Sequence, residues 1–182
     1  MYGMIHRALR SMVIEKEGIS SWNEIEIIAK IGPGQMISAE IYEDELTLKI
    51  IESCSKVLNK PMEKILTEFG NHWIRFSDSG AFKDILNFTG GDIREFIVNL
   101  NRMHQAIRAV MPQAVMPHFG VLGESAGKLI VEYRSERTGL EPFVTGLLQG
   151  LLERFGIEGG VESNGRSDDA SIYIIHYKDK PI

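Results

Sequence analysis

The sequence predicts an α+β fold: a helical N-terminal subdomain packed on a C-terminal four-stranded antiparallel sheet that carries one helix. Two patterns predict it. Through about the first 110 residues apolar side chains recur every three or four positions, the period of a helix with one buried face. From residue 118 short β-branched and aromatic runs punctuated by turn residues take over, in the order strand, strand, helix, strand, strand.

Residues 2 to 17 set Ile5, Leu9, Met12 and Val13 on one helical face, and Gly18 is a natural stop. Ser20 or Ser21 then caps a second helix through Trp22, Ile25, Ile28 and Ala29, with Glu24 in the capping-box position. The stretch IGPGQ breaks it. A third helix is expected over 43 to 58, and Pro61, at a first-turn position, opens a fourth through Ile65, Phe69 and Trp73. Gly70 lies inside that fourth helix, where glycine lowers helix stability by about 1 kcal/mol relative to alanine, so it serves either close packing or a bend.

A shorter helix near 81 to 88 ends at Gly90 and Gly91. Asp92 caps the next, whose stripe runs Ile93, Phe96, Ile97, Leu100, Met103, Ile107 and Val110 until Pro112 stops it. HFGVLG and KLIVEYRSE, separated by ESAG, read as a hairpin. LEPFVTGLLQGLLERFG is a helix closed by Gly156, and two strands, IEGGVES and SIYIIHY, follow around a polar loop NGRSDD.

With 182 residues and 43% hydrophobic content the chain can bury a sizeable core and reads as one domain over 1–182, helical over about 1–60 and carrying the pocket and sheet over about 61–182. A net charge of -5, with acids and bases interspersed, provides no basic stripe for nucleic acid and no polybasic patch for anionic lipid. No apolar run approaches the ~20 residues of a membrane span, and no signal-peptide order opens the chain, so a cytoplasmic location is expected. The single cysteine, Cys54, excludes an internal disulfide and reads as a core filler. No H-E-x-x-H, C-x-x-C or P-loop is present, and the glycines of GVLGESAG do not fit a dinucleotide fingerprint, so an enzyme is not expected. His6, His72, His118 and His176 lack metal-ligand spacing, and RSDDAS lacks the calcium-loop pattern.

One constellation stands out. Tyr133, Ser135 and Arg137 are spaced i, i+2, i+4, so a strand would aim all three to one face after Leu129 and Val131, spreading donors over about 13 Å. An inward-facing arginine is costly unless an anion meets it. About thirty residues upstream His104 falls inside an apolar helical stripe, beside Met103. A buried histidine near a row of anion-binding donors fits a cofactor with a metal at its centre and carboxylates at its rim, which describes haem.

Tyr133-x-Ser135-x-Arg137, His104 in REFIVNLNRMH and the opening MYGMIHRAL together resemble the H-NOX family, the haem nitric oxide/oxygen binding domains related to the sensor region of soluble guanylate cyclase. The resemblance runs end to end. It implies haem b buried between the two parts of the chain, His104 as the axial iron ligand, and Tyr133, Ser135 and Arg137 as the binders of the haem propionates. It also implies that Pro117 presses on the ring and that Gly70 acts as a pivot between subdomains. Dioxygen-binding members carry a distal tyrosine three residues before a glycine of the helix that follows the Y-x-S-x-R strand; the position here, counting back from Gly146, is Phe143. Phe143 donates no hydrogen bond, and Met4, Ile5 and Leu9, expected near the ring, are apolar. Trp73, expected on the same side, has an indole N–H.

Nitric oxide and carbon monoxide are therefore the expected ligands and dioxygen is disfavoured. Release of His104 on nitric oxide binding and relaxation of its helix would constitute the signal, passed, as stand-alone relatives do, to a histidine kinase or a diguanylate cyclase. The competing reading is a regulatory module that binds a small molecule without haem, in which His104 is a core residue and Arg137 pairs with an internal carboxylate. A haem peroxidase is a weaker third, because no distal acid/base pair is evident.

Overall fold

In the computed structural model, which describes residues 1–32, 34, 36–80, 82–167 and 169–178, the helical stripes of the first third close on one another as a first core. Helix α1 (Gly3–Glu17) ends where Gly18 adopts a φ of 85°, and the same glycine stands before α2 (Ile19–Ala29). One residue thus serves both ends, and the capping box expected from Ser20 or Ser21 with Glu24 does not form: the helix has already begun, and the Ser21 hydroxyl donates instead to the Glu17 carbonyl at 3.0 Å. Helix α3 (Asp44–Leu58) follows, with Asp44 and Glu45 in its first turn. Pro61 sits just before α4 (Met62–Ser79), in an extended conformation that leads into the helix, one position earlier than the sequence predicts. Leu9, Met12, Trp22, Ile25, Ile50 and Phe69 are buried together here. Cys54 lies among them, and burial pushes its thiol up to about 12, as expected of an inert filler. Ile65, Leu66 and Phe69 of α4 belong to this first core, so it reaches past residue 60.

The second core forms under the sheet. Helix α5 (Lys83–Thr89) leads to α6 (Ile93–Val110), whose N-terminus is capped as expected: Asp92 Oδ1 accepts from the Glu95 amide at 2.7 Å, and Glu95 accepts in return from the Gly91 amide at 2.7 Å. Strands β1 (His118–Ser125), β2 (Lys128–Arg134), β3 (Gly159–Ser167) and β4 (Ala170–Tyr177) form one antiparallel sheet in the order β1-β2-β4-β3. Helix α7 (Glu141–Arg154) covers it. Leu148 and Leu151 of α7 meet Leu129, Val131, Tyr173 and Ile175 from the alternating inward positions of β2 and β4. The sequence predicts a loop over NGRSDD, yet β3 continues to Ser167 across an irregularity between Ser163 and Arg166, so pairing with β4 holds nearly to the turn. Asp168 of that loop, and Pro33 and Gln35 of IGPGQ, lie outside the described residues. Among the described residues no helix is long and apolar enough to cross a membrane.

The two cores are joined where α4 crosses α7. A Cβ at Gly70 would lie 2.0 Å from the Phe143 carbonyl, and one at Gly146 would lie 2.0 Å from the Thr67 carbonyl, so each glycine admits the other helix's backbone. Close packing explains the glycine at 70. Gly146→Val is expected to lower stability by about 1 to 3 kcal/mol through overpacking, or more because the obstacle is backbone, as read from the midpoint of chemical denaturation.

Candidate functional site

A cavity of about 630 Å³ lies between the two cores, within the range of about 300–1,000 Å³ typical of small-molecule sites. Apolar groups from six helices wall it, among them Ile5 from α1, Ile51 from α3, Phe69 and Trp73 from α4, Met103 from α6 and Phe143 from α7. The stripe of α6 explains its depth. Ile93 and Ile97 are buried in the second core, Phe96 and Leu100 are buried there and also line the cavity, and Met103, His104 and Ile107 carry the lining further along the helix.

His104 is poised as a donor. Its Nδ1 lies 3.1 Å from the carbonyl oxygen of Pro117, an oxygen that can only accept, so Nδ1 carries the proton and Nε2 the lone pair. Burial pulls the imidazole below its ordinary value of 6.5, against a smaller opposing effect of the Pro117 bond, and keeps the ring neutral near pH 7. A backbone carbonyl that fixes the tautomer and orientation of a histidine is the usual support for a metal ligand. Pro117 itself lines the cavity. The sequence marks His104 and Pro117 separately, and only the fold reveals that one orients the other.

The donor row is arranged differently from its prediction. Strand β2 ends at Arg134, so Tyr133 alone of the three continues the buried face of Leu129 and Val131. The chain then bends away, because the Ser135 hydroxyl accepts from the Arg137 amide at 3.1 Å and Gly139 takes a φ of 76°. Tyr133 is buried with its ring 5.2 Å from that of Phe119 and its hydroxyl hydrogen-bonded with Ser135. Arg137 lines the cavity, while Tyr133 and Ser135 are not among its lining residues. The anion that meets Arg137 is Asp44 of α3: Nε donates to Asp44 Oδ2 at 2.8 Å and Nη1 donates to the Val115 carbonyl at 3.0 Å. Asp44 also holds the N-terminal ammonium at 2.9 Å. Its partial burial works to raise its pKa, but the bonds from Arg137 and the N-terminus outweigh that and hold the carboxyl below its ordinary value of 3.8. Sequence reading missed Asp44, whose only local signal is a favourable charge at a helix start.

Aromatic rings crowd the α4–α7 side. Phe69 lies 5.1 Å from Phe143 and 6.4 Å from Trp73, centroid to centroid, and Trp73 stacks on Phe76 at 6.1 Å. Phe143 thus packs in the wall, and no hydrogen bond engages the Trp73 indole among the described residues. Ser77 is a polar lining residue that the sequence did not single out. Among the described residues no three His, Cys, Asp or Glu side chains gather as a protein-only metal site.

A neutral imidazole with one free nitrogen, an apolar chamber and a guanidinium at its edge are together the donor set that haem requires. Comparisons with known proteins agree. The family model described as Haem-NO-binding matches residues 2–163. Soluble guanylate cyclase gcy-35 of Caenorhabditis elegans is 29% identical over 157 residues, covering 85% of this chain and 23% of the relative. Soluble guanylate cyclase 89Da of Drosophila melanogaster is 23% identical over 159 residues, covering 87% of this chain and 24% of the relative. The chain therefore spans about a quarter of the length of these cyclases. An H-NOX protein from S. oneidensis in the Fe(II) ligation state, carrying three alanine substitutions, superposes with a TM-score of 0.87 at 21% identity over 100% of this chain and 98% of the other. An H-NOX protein from the same organism in the Fe(II)NO state gives 0.85 at 22% identity over 98% and 100%. With an α+β fold in common and a matching family model over nearly the whole length, the chain belongs to the Haem-NO-binding, or H-NOX, family of haem-based gas-sensing domains.

Proposed function

We propose that this single domain is a haem-based sensor of nitric oxide, which also takes carbon monoxide and disfavours dioxygen, and that it reports to a separate protein. The observation that carries this reading is His104: buried, neutral, tethered through Nδ1 to Pro117, with Nε2 left to ligate in the wall of an apolar cavity. Haem b, when bound, would supply a ferrous iron able to take a diatomic gas. His104 Nε2 would hold the metal, with Met103 beside it. Arg137, supported by Tyr133 and Ser135, would hold the carboxylates. A guanidinium has five N–H donors, so the bonds to Asp44 and Val115 leave others for a second anion.

The cavity lining supports the ligand preference. Phe143 is carbon throughout, Ile5 is apolar, and neither stabilises charge on a bound gas by hydrogen bonding. The output follows from how α6 is anchored. The buried residues of α6, Ile93, Phe96, Ile97 and Leu100, lie toward its N-terminal end, whereas its second half is held by Met103 against the second core, by the His104 ring 6.3 Å from that of Phe119 and by the His104–Pro117 bond. When Nε2 is released, that half of the helix is the part free to move. A histidine kinase or a diguanylate cyclase in the cytoplasm is the proposed recipient. The non-haem module is the second reading, favoured by the Arg137–Asp44 pair. The family membership and the prepared tautomer of His104 weigh against it.

Absorption spectra test the proposal. Purified protein supplemented with haem is expected to show a Soret band at near one haem per chain, which shifts with carbon monoxide and nitric oxide but not lastingly in air. Phe143→Tyr adds a donor worth about 1 to 3 kcal/mol to a charged acceptor, roughly 5- to 150-fold in dioxygen affinity. A lasting shift of the parent in air would overturn the selectivity and direct attention to Trp73.

A further inference from the structure

A second concavity, of about 640 Å³, opens between α1 and α4, and its chemistry is unlike that of the haem cavity. Arg7 and Arg10 stand at its rim, one helical turn apart and exposed. Neither has a carboxylate within ion-pair distance among the described residues, whereas Arg75, Arg94, Arg134, Arg137, Arg154 and Arg166 all have one. Arg102 and Arg108 also lack one but lie on α6, outside this groove. The floor is apolar, built from Ile14, Met36 and Phe76, all half-buried. The single acid of the lining, Glu15, pairs with Arg75 at 3.7 Å and is not within ion-pair distance of Arg7 or Arg10.

We propose that this groove docks an acidic, apolar-faced segment of a partner protein, with carboxylates on Arg7 and Arg10 and apolar side chains over Ile14, Met36 and Phe76. Charge complementarity selects the occupant: two unmatched guanidinium groups offer forked donors to carboxylates. The apolar floor rewards aliphatic side chains, which a nucleic acid lacks. The groove is one ring away from the haem cavity, since Phe76 of its floor stacks on Trp73 of the cavity wall at 6.1 Å. A segment seated here would therefore feel, through that stack, what fills the cavity. This regulatory meaning rests on the gas-sensing reading, but the docking itself does not.

The experiment uses the full chain and a fluorescein-labelled peptide that alternates aspartate and leucine, followed by fluorescence anisotropy, with the Soret absorbance recorded on the same haem-supplemented samples. The parent is expected to bind and to bind more weakly as salt rises. The double variant Arg7→Glu with Arg10→Glu should lose roughly tenfold or more in affinity, and Arg7→Lys with Arg10→Lys should lose less, because charge survives and the fork does not. Thermal melts verify that both variants fold. Absence of binding to the parent, equal binding by the charge-reversed variant, or equally tight binding of a single-stranded oligonucleotide or inorganic phosphate overturns the proposal. Because anisotropy needs no haem, a missing Soret band with peptide binding intact would sink the sensor reading and leave the docking standing.

Discussion

His104→Gly is expected to abolish ligation of the haem iron by this side chain, and added imidazole to restore it. The expectation follows from the geometry of one side chain: with Nδ1–H donating to Pro117, the only lone pair of the ring is on Nε2, in the cavity wall. Glycine at 104 removes that donor and leaves an opening of imidazole size beside the Pro117 carbonyl, so a free imidazole can take both the space and the hydrogen bond. Spectra of the ferrous variant should lack the five-coordinate form without imidazole and regain it with imidazole, while unchanged spectra would remove His104 from the mechanism. The parent should also respond to pH. Burial depresses the folded-state pKa of His104, so the neutral form persists at pH 7 and is lost only as pH falls through that lowered value. Ligation should hold through neutrality and fail on acidification below the ordinary 6.5.

Arg137→Ala should weaken haem retention most among the pocket-edge variants, Tyr133→Ala less, and Ser135→Ala least. Charge-assisted hydrogen bonds contribute about 1.5 to 3 kcal/mol, so the arginine loss corresponds to roughly 10- to 150-fold in haem dissociation, measured as transfer to an excess of an acceptor protein. Asp44 supplies a sharper test. It occupies Nε of Arg137 and competes with any carboxylate that arrives, so Asp44→Asn should release the guanidinium and strengthen retention. The stability effect of the same change is small, because a half-exposed ion pair is screened by solvent. The pair persists above the ordinary carboxylate range and is lost as pH falls through the depressed Asp44 pKa, below 3.8. Equal retention by all these variants would remove the row from the site.

Much of the molecule is legible before folding because helices and strands are local. The Asp92 cap, the α6 stripe, the β1–β2 hairpin and the α+β order follow from spacings of two to four residues, and the structure reproduces them. The resemblance borne by His104 and Y-x-S-x-R led to the family that the matching model shows. Errors fell where two local signals compete or where a strand has to end. Gly18 overrode the serine caps of α2, and the Ser135 turn ended β2 before the donor row was complete.

By itself, then, the sequence determined the elements, the candidate ligands and the family, since periodicity, capping and motif spacing all act within a few residues. Only the tertiary structure decided what each candidate faces. Asp44 meets Arg137 across 93 positions, Pro117 orients His104 across 13, and Gly70 opposes the α7 backbone. No spacing encodes these contacts, because the two cores choose their neighbours by packing whole faces against one another.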